Sequence, residues 1–184
     1  MRITTGTARG TKVMPVPGDT TRPTADKLKQ AMFNAVQFEI EGRRALDLFA
    51  GTGQLGIEAL SRGAEHCVFV DNSAAAVAAV KNNLERAKLA GKASVRLSDY
   101  KAYLNTAPKR HFHIIFLDPP YQPGYLKRVI SFIQTFDISA QSGIILCEGD
   151  AAEPMPDELG QFALERRYIH ASSAVTLYRN TLRD

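Results

Sequence analysis

Ala45-Leu46-Asp47-Leu48-Phe49-Ala50-Gly51-Thr52-Gly53-Gln54-Leu55-Gly56 is the stretch that decides the fold. Ala45 to Phe49 is a short, mostly apolar run that predicts a buried strand, and Gln54 to Arg62 reads as a helix ended by Gly63. Between them, Gly51-x-Gly53-x-x-Gly56 has the spacing of a turn that carries a strand into a helix beneath a nucleotide. Such a turn needs glycine for tight geometry, for close backbone approach to a ligand and for close helix packing. A strand–helix turn that needs glycine for geometry alone has the same spacing, so the rest of the chain must decide.

Downstream the alternation continues. Cys67 to Val70 predicts a second strand, and Ser73 caps an alanine-rich helix in which Val77, Val80 and Leu84 fall at helical spacing and Gly91 is the expected stop. Ala93 to Leu97 and Phe112 to Leu117 predict two more strands, the latter apolar enough for burial on both faces. Gly124 to Phe136 predicts a helix with Val129, Ile130, Ile133 and Phe136 on one side, and Ile144 to Cys147 a fifth strand. Phe162 to Leu164 and Ala174 to Tyr178 read as a closing hairpin, giving seven strands. Upstream, Leu28, Ala31, Met32, Ala35 and Val36 recur at helical spacing, with Thr24 as candidate cap, after a polar, Gly- and Pro-containing start that reads as a hairpin and loop. Strands and helices alternating at this pace predict an α/β fold, an open and mostly parallel sheet with helices on both faces. Ligands of such sheets sit beyond the carboxyl ends of the strands.

The 184 residues fit one domain, with 1–40 as an extension of it. Hydrophobic residues at 45% and charged residues at 23% exclude a disordered, collagen-like or coiled-coil chain. Two cysteines, Cys67 and Cys147, exclude a disulfide scaffold and a four-cysteine zinc site, and both sit in apolar strands as core residues do. No apolar run is long enough to cross a bilayer and the start lacks a signal peptide, so the expected location is cytoplasmic, with no membrane partner. The net charge of +4 is concentrated early, with Arg2, Arg9, Lys12, Arg22, Lys27 and Lys29 against Asp19 and Asp26 in the first thirty residues. That distribution suits a polyanion, or simply a solvated edge.

The strand ends carry the chemistry. Asp71 closes the second strand, where a carboxylate can accept from both hydroxyls of a ribose. Asp99 follows the third and could accept from an adenine amino group, or could cap a helix. Asp47, four residues ahead of Gly51, would repel a pyrophosphate and suits a ligand with a positive end, such as an amino-acid ammonium; a buried Asp bonded to backbone amides is the plain alternative. Asp118-Pro119-Pro120-Tyr121 ends the fourth strand and is the most specific signal. Its prolines fix φ and remove two amide donors, so the backbone there offers only carbonyls. A carboxylate beside a fixed carbonyl makes two acceptors for the two N–H bonds of a planar exocyclic amine, which favours a pyramidal nitrogen with a usable lone pair. Tyr121 adds a ring face on which a base can stack.

Asp47-Leu48-Phe49-Ala50-Gly51-Thr52-Gly53 together with Asp118-Pro119-Pro120-Tyr121 resembles the amino-methyltransferases that use S-adenosylmethionine, above all the RsmD family, which methylates the N2 amine of a guanine in bacterial 16S ribosomal RNA. The resemblance runs through nearly the whole chain: Arg2-Ile3 to Arg9-Gly10, Arg22-Pro23-Thr24-x-Asp26 into Ala31-Met32-Phe33-Asn34, and Gly56 to Ala64. It departs at Thr7, where the family often has lysine, and at Lys29-Gln30, where Arg-Glu is common. The resemblance implies a Rossmann-like class I methyltransferase sheet with a terminal antiparallel hairpin. It implies S-adenosylmethionine held by Asp47, by Phe49-Ala50-Gly51-Thr52-Gly53, by Asp71-Asn72 and by Asp99-Tyr100, with Arg22 and Thr24 close by. It implies catalysis at Asp118, Pro119, Pro120 and Tyr121, and RNA contacts from Arg2, Arg9, Lys12 and Arg22 within the small ribosomal subunit or its assembly intermediate.

No metal is expected: His66, His111, His113 and His170 are scattered, and the His111-x-His113 pair lacks a nearby third ligand. Neither cysteine follows a proline, so a thiolate nucleophile is unsupported. Three other classes remain open. An N6-adenine methyltransferase uses a similar Asp-Pro-Pro-Tyr pocket but usually a large target-recognition region. An NAD-dependent oxidoreductase leaves Asp118 to Tyr121 unexplained, and an RNA-binding module leaves the glycine turn without purpose.

Overall fold

The computed structural model describes residues 1–17 and 26–182, Asp26 and Lys27 by their backbone alone. In chain order the strands are β1 (Arg44–Asp47), β2 (His66–Asp71), β3 (Ala93–Leu97), β4 (Phe112–Leu117), β5 (Ser139–Asp150), β6 (Glu158–Leu159), β7 (Phe162–His170) and β8 (Ser173–Asn180). The helices are α1 (Asp26–Ala35), α2 (Gln54–Ser61), α3 (Ala74–Ala87), α4 (Tyr100–Thr106) and α5 (Tyr125–Thr135). All eight strands form one sheet in the order β3-β2-β1-β4-β5-β8-β7-β6. β1 to β5 run parallel, while β7 and β8 return as the expected antiparallel hairpin. The seven expected strands are all there, and the eighth, β6, is a two-residue addition at the edge. The order reverses between β1 and β4, which is where an open α/β sheet splits its helices to opposite faces and leaves a crevice.

Alternation along the strands builds the two faces. Ile114 and Phe116 of β4 join Met32, Phe33, Ile57, Leu60, Val80 and Leu84 under α1, α2 and α3. Ile115 and Leu117 join Leu104, Val129, Ile130 and Ile133 under α4 and α5. Successive side chains point to opposite sides of the pleat, so a strand apolar throughout is buried twice.

Two local expectations change. The alanine-rich helix begins as read, with Ser73 Oγ accepting from the Ala76 amide at 3.3 Å, but it ends before Gly91. Lys88 takes the left-handed conformation at φ 58°, and the Leu89 amide reaches back to the Leu84 carbonyl at 3.0 Å. Leu89 and Leu84 are both buried, so an apolar contact across the helix end, together with the six-to-one hydrogen bond, outweighs the preference for glycine at that position. The second change is α4. Its seven residues bury only Leu104, too little apolar periodicity to register as a helix in the sequence.

The first residues form a small hairpin, with Arg2 bridged to Lys12, docked against α2. Glu58 is buried and accepts from the Thr4 amide (2.8 Å), the Thr4 hydroxyl (2.7 Å), the Thr5 amide (3.1 Å) and Arg62 Nε (2.8 Å). Ser61 Oγ donates to the Thr5 carbonyl and accepts from the Ala8 amide. Glu58, Ser61 and Arg62 of the Gly56 to Ala64 block thus hold the start of the chain.

Candidate active site

The register of the central strands sets the level of the site. Asp47 lies opposite Phe69 on one side and Phe116 on the other. Asp71 and Asp118 each stand two residues further along, so three carboxylates arrive at one edge of the sheet, at the crevice.

Each glycine of the turn has a separate reason. Gly51 has φ 52°, and a side chain there would meet nothing within 4 Å. Gly53 has φ 79°, caps α2, and a Cβ would press on both methyls of Val80 at 3.2 Å. At Gly56 a Cβ would overlap the Phe69 ring. Of the three, Gly51 alone faces space left open by the described residues, where a ligand can come against backbone; Gly53 and Gly56 are demanded by the protein's own conformation and packing.

Asp47 is 1% exposed. Its Oδ2 accepts the Gly56 amide at 3.0 Å, while Oδ1 is buried with no hydrogen-bond partner among the described residues. Burial raises its carboxyl to about 7 against the pull of the Gly56 bond, and Asp71 adds a smaller rise. The plain alternative, a buried Asp bonded to amides, covers one oxygen and leaves the other as an acceptor that a cationic group fits.

Asp71 is half-buried, and its oxygens accept the Gly51 amide (2.9 Å) and the Ser73 amide (2.8 Å). One carboxylate thus secures the turn that presents Gly51 and still keeps acceptor capacity on each oxygen. Asn72 beside it is exposed. Asp99 caps α4 through Oδ1, from the Lys101 (2.9 Å) and Ala102 (3.1 Å) amides, so the capping role exists whether or not an adenine is also bound. The rings of Phe49 and Tyr100 are 5.4 Å apart and both contact Tyr125, an aromatic cluster joining the turn after β1 to α4 and α5. Ala50 is buried and its amide donates to the Val70 carbonyl, and the Thr52 carbonyl accepts from Asn83 at 2.9 Å.

After β4, Asp118 is half-buried, Pro119 buried and Pro120 exposed. Tyr121 leaves half its surface open, at 51%, yet its hydroxyl is tied down. It donates to Glu148 Oε1 at 3.2 Å and lies 2.9 Å from Ser173 Oγ. Burial pushes the phenol up to about 12, with the Glu148 and Asp118 charges adding to the rise, so it is neutral at pH 7. Pro119, Pro120 and Tyr121 form one wall of a cavity of about 320 Å³ whose other walls are the start of α5 and the end of β5.

Of the basic residues expected to meet RNA, Arg2, Arg9 and Lys12 are exposed on the N-terminal hairpin. Arg22 and Thr24 lie outside the described residues. Lys29, a departure from the family pattern that could have altered an RNA contact, is 1% exposed and donates to the Arg2 carbonyl at 3.1 Å; it belongs to the core instead. Asn83, Glu58 and Glu148 escaped the sequence reading. Asn83 left a trace, as a polar residue on the face of α3 that otherwise buries Ala76, Val80 and Ala87. It accepts from the Met14 amide (2.8 Å) and donates to the Met14 (3.0 Å) and Thr52 carbonyls. His113 accepts from the Arg44 amide and His66 bonds Ser94, and among the described residues no three His, Cys, Asp or Glu are grouped to hold a metal.

Residues 1–179 match the family described as "Conserved hypothetical protein 95". The chain is 40% identical over 181 residues to "Putative rRNA methyltransferase YlbH" of Bacillus subtilis, covering 97% of this chain and 98% of the relative. It is 32% identical over 180 residues to "Ribosomal RNA small subunit methyltransferase D" of Escherichia coli K12, covering 97% and 89%. Among solved structures, "Putative methyltransferase yhhF from Escherichia coli" superposes with a TM-score of 0.84 at 31% identity, covering 100% of this chain and 99% of that one.

Proposed function

Since this chain belongs to the RsmD family of ribosomal RNA methyltransferases, we propose that it moves a methyl group from S-adenosylmethionine to the exocyclic N2 amine of one guanine in 16S ribosomal RNA. The observation that carries this reading is the delivery of Asp118 and Pro119 to the same sheet edge as Asp47 and the open side of Gly51. An NAD turn has no use for the first pair, and a simple RNA-binding module has no use for either.

The residues fit the cofactor. The uncovered Oδ1 of Asp47 suits the ammonium of its methionine end, and that positive charge would draw the carboxyl back to its ionised form. Gly51 lets the backbone come close, and Asp71 has acceptor capacity left for ribose hydroxyls. When bound, S-adenosylmethionine supplies a methyl on a sulfonium, an electrophile that needs only a lone pair in line with it.

The chain's own residues prepare that lone pair. Asp118 and the Pro119 carbonyl accept the two N–H bonds of the target amine and draw the nitrogen out of conjugation with its ring. The spare proton leaves through a carboxylate oxygen of Asp118 or through water. Tyr121, held at its hydroxyl, offers its ring to the base, and such stacking contributes ~1–3 kcal/mol. A guanine paired inside folded RNA is out of reach, so the base must swing out of its stack. Arg2, Arg9 and Lys12 meet the surrounding phosphates, in the small subunit or its assembly intermediate.

The test is mass-spectrometric mapping of modified nucleosides in small-subunit RNA from cells with and without the protein. N2-methylguanosine that disappears with the protein is expected. Loss of an N6-methyladenosine instead, or of nothing, would overturn the reading.

A further inference from the structure

The cavity beyond Pro119, Pro120 and Tyr121 has no part in holding the cofactor residues, and its lining is unusual for a protein of basic charge. About 320 Å³ in volume, it is walled by prolines and by Tyr125 and Leu126, and its charged residues are all acidic, Glu148, Asp150 and Glu153, beside the neutral Tyr121 and Gln122. Among the described residues neither a lysine nor an arginine lines it. Such a space repels phosphate. Apolar flat walls with carboxylate acceptors suit an uncharged planar ring whose edge is rich in N–H donors. Guanine has that edge, with N1–H beside the N2 amine, whereas adenine presents an acceptor at N1.

Glu148 is the placed acceptor. It is 4% exposed, sits at the carboxyl end of β5, and already accepts the Tyr121 hydroxyl. Leu117 pairs with Cys147 across the sheet, so Asp118 and Glu148 are the next residues on adjacent strands. Asp118 and Glu148 therefore leave the sheet on adjacent strands, ~4.8 Å apart at the backbone, from which a short and a long carboxylate side chain can converge on neighbouring donors of one base edge. Building on the guanine reading above, we propose that this cavity receives the flipped target base and that Glu148 accepts its N1–H while Asp118 and Pro119 hold N2. Glu148 is then a specificity-determining residue, and it also orients Tyr121.

The test uses small-subunit RNA carrying either guanine or 2-aminopurine at the mapped position. 2-Aminopurine keeps the 2-amine but has an acceptor in place of N1–H. The wild-type protein is expected to methylate the 2-aminopurine RNA about 10- to 100-fold less efficiently in kcat/KM. Glu148→Gln offers an amide that can donate to that acceptor. It should lose a similar factor on guanine and discriminate the two RNAs by less than about threefold, with S-adenosylmethionine affinity unchanged as the sign of an intact fold. Tyr121→Phe separates reading from orientation: it should lower kcat on both RNAs and keep the discrimination.

Equal wild-type rates on the two RNAs overturn the proposal without any variant having to fold. Full discrimination in Glu148→Gln assigns N1 to some other group and overturns the role of Glu148. Methylation of neither RNA by the wild type, with another base modified in the same subunits, overturns the guanine reading itself and is a distinct result.

Discussion

Asn83 Nδ2 lies 2.9 Å from the Thr52 carbonyl oxygen, so a side chain on α3 grips the middle of the glycine turn. The same amide holds both backbone groups of Met14. Replacing Asn83 with leucine removes three hydrogen bonds and leaves part-buried backbone groups of Met14 and Thr52 unpaired. A stability loss of roughly 2–4 kcal/mol in urea unfolding is expected. Cofactor affinity measured by calorimetry should fall with it, because the turn loses its backing. Unchanged values for both would show that the turn supports itself.

The glycines should separate by readout. Gly53→Val puts branched methyls against Val80 in a left-handed backbone and should cost roughly 2–4 kcal/mol of stability. Gly51→Val has open space for its side chain, so its stability cost is about 1–2 kcal/mol of backbone strain, yet S-adenosylmethionine binding should disappear. Thermal melts beside calorimetry decide between these outcomes. Binding that survives in Gly51→Val means the ligand approaches from elsewhere.

Asp118→Ala should reduce methyl transfer by at least about 10²-fold while cofactor affinity stays within about twofold, because the carboxylate serves the amine and not the cofactor. Single-turnover transfer of labelled methyl groups to small subunits measures the first, calorimetry the second. Normal turnover would remove Asp118 from the chemistry.

The Asp47 carboxyl gives a pH signature. Its folded-state value is raised from 3.8 to about 7, so between those values the folded chain holds a proton that the unfolded chain has released. Stability therefore falls as pH rises from about 4 to 7, and levels off above. Asp47→Asn, which cannot ionise, should be the more stable of the two proteins at pH 8 by roughly 2–4 kcal/mol relative to their difference at pH 4. Binding of a cation at Oδ1 releases that proton, so wild-type cofactor affinity should tighten as pH rises from 6 toward 7.5, and the variant's should not. Parallel urea curves across this range would return Asp47 to an ordinary carboxylate.

Charge reversal on the N-terminal hairpin tests the RNA face. Arg9→Glu with Lys12→Glu should weaken RNA binding and make the slope of log Kd against log salt shallower by about two, one for each lost phosphate contact. An unchanged slope would place the RNA elsewhere.

Much of this was legible in the chain itself. The apolar strand, three glycines and a helix predict the switch-point turn, and Asp71 and Asp118 announce themselves by standing at strand ends. What stayed hidden is contact between distant segments. No local pattern says that Glu58 is buried under Thr4, or that Asn83 reaches both Met14 and Thr52. The turn's spacing also could not tell which glycine has open space beside it, because that depends on Val80 and Phe69, residues supplied by other elements. Helix α4 went unread for a related reason: its anchor is an aromatic cluster with Phe49 and Tyr125, contacts that leave no repeat along its own seven residues.

The grip of Glu58 on Thr4 and Thr5 has a practical bearing on how the protein can be shortened. A truncated version beginning after residue 13 would strip three donors from a carboxylate that is buried in the intact chain and uncover its side of α2, leaving it with Arg62. The helix so weakened begins at Gln54, directly after the glycine turn, so trimming the far hairpin would loosen that turn as well.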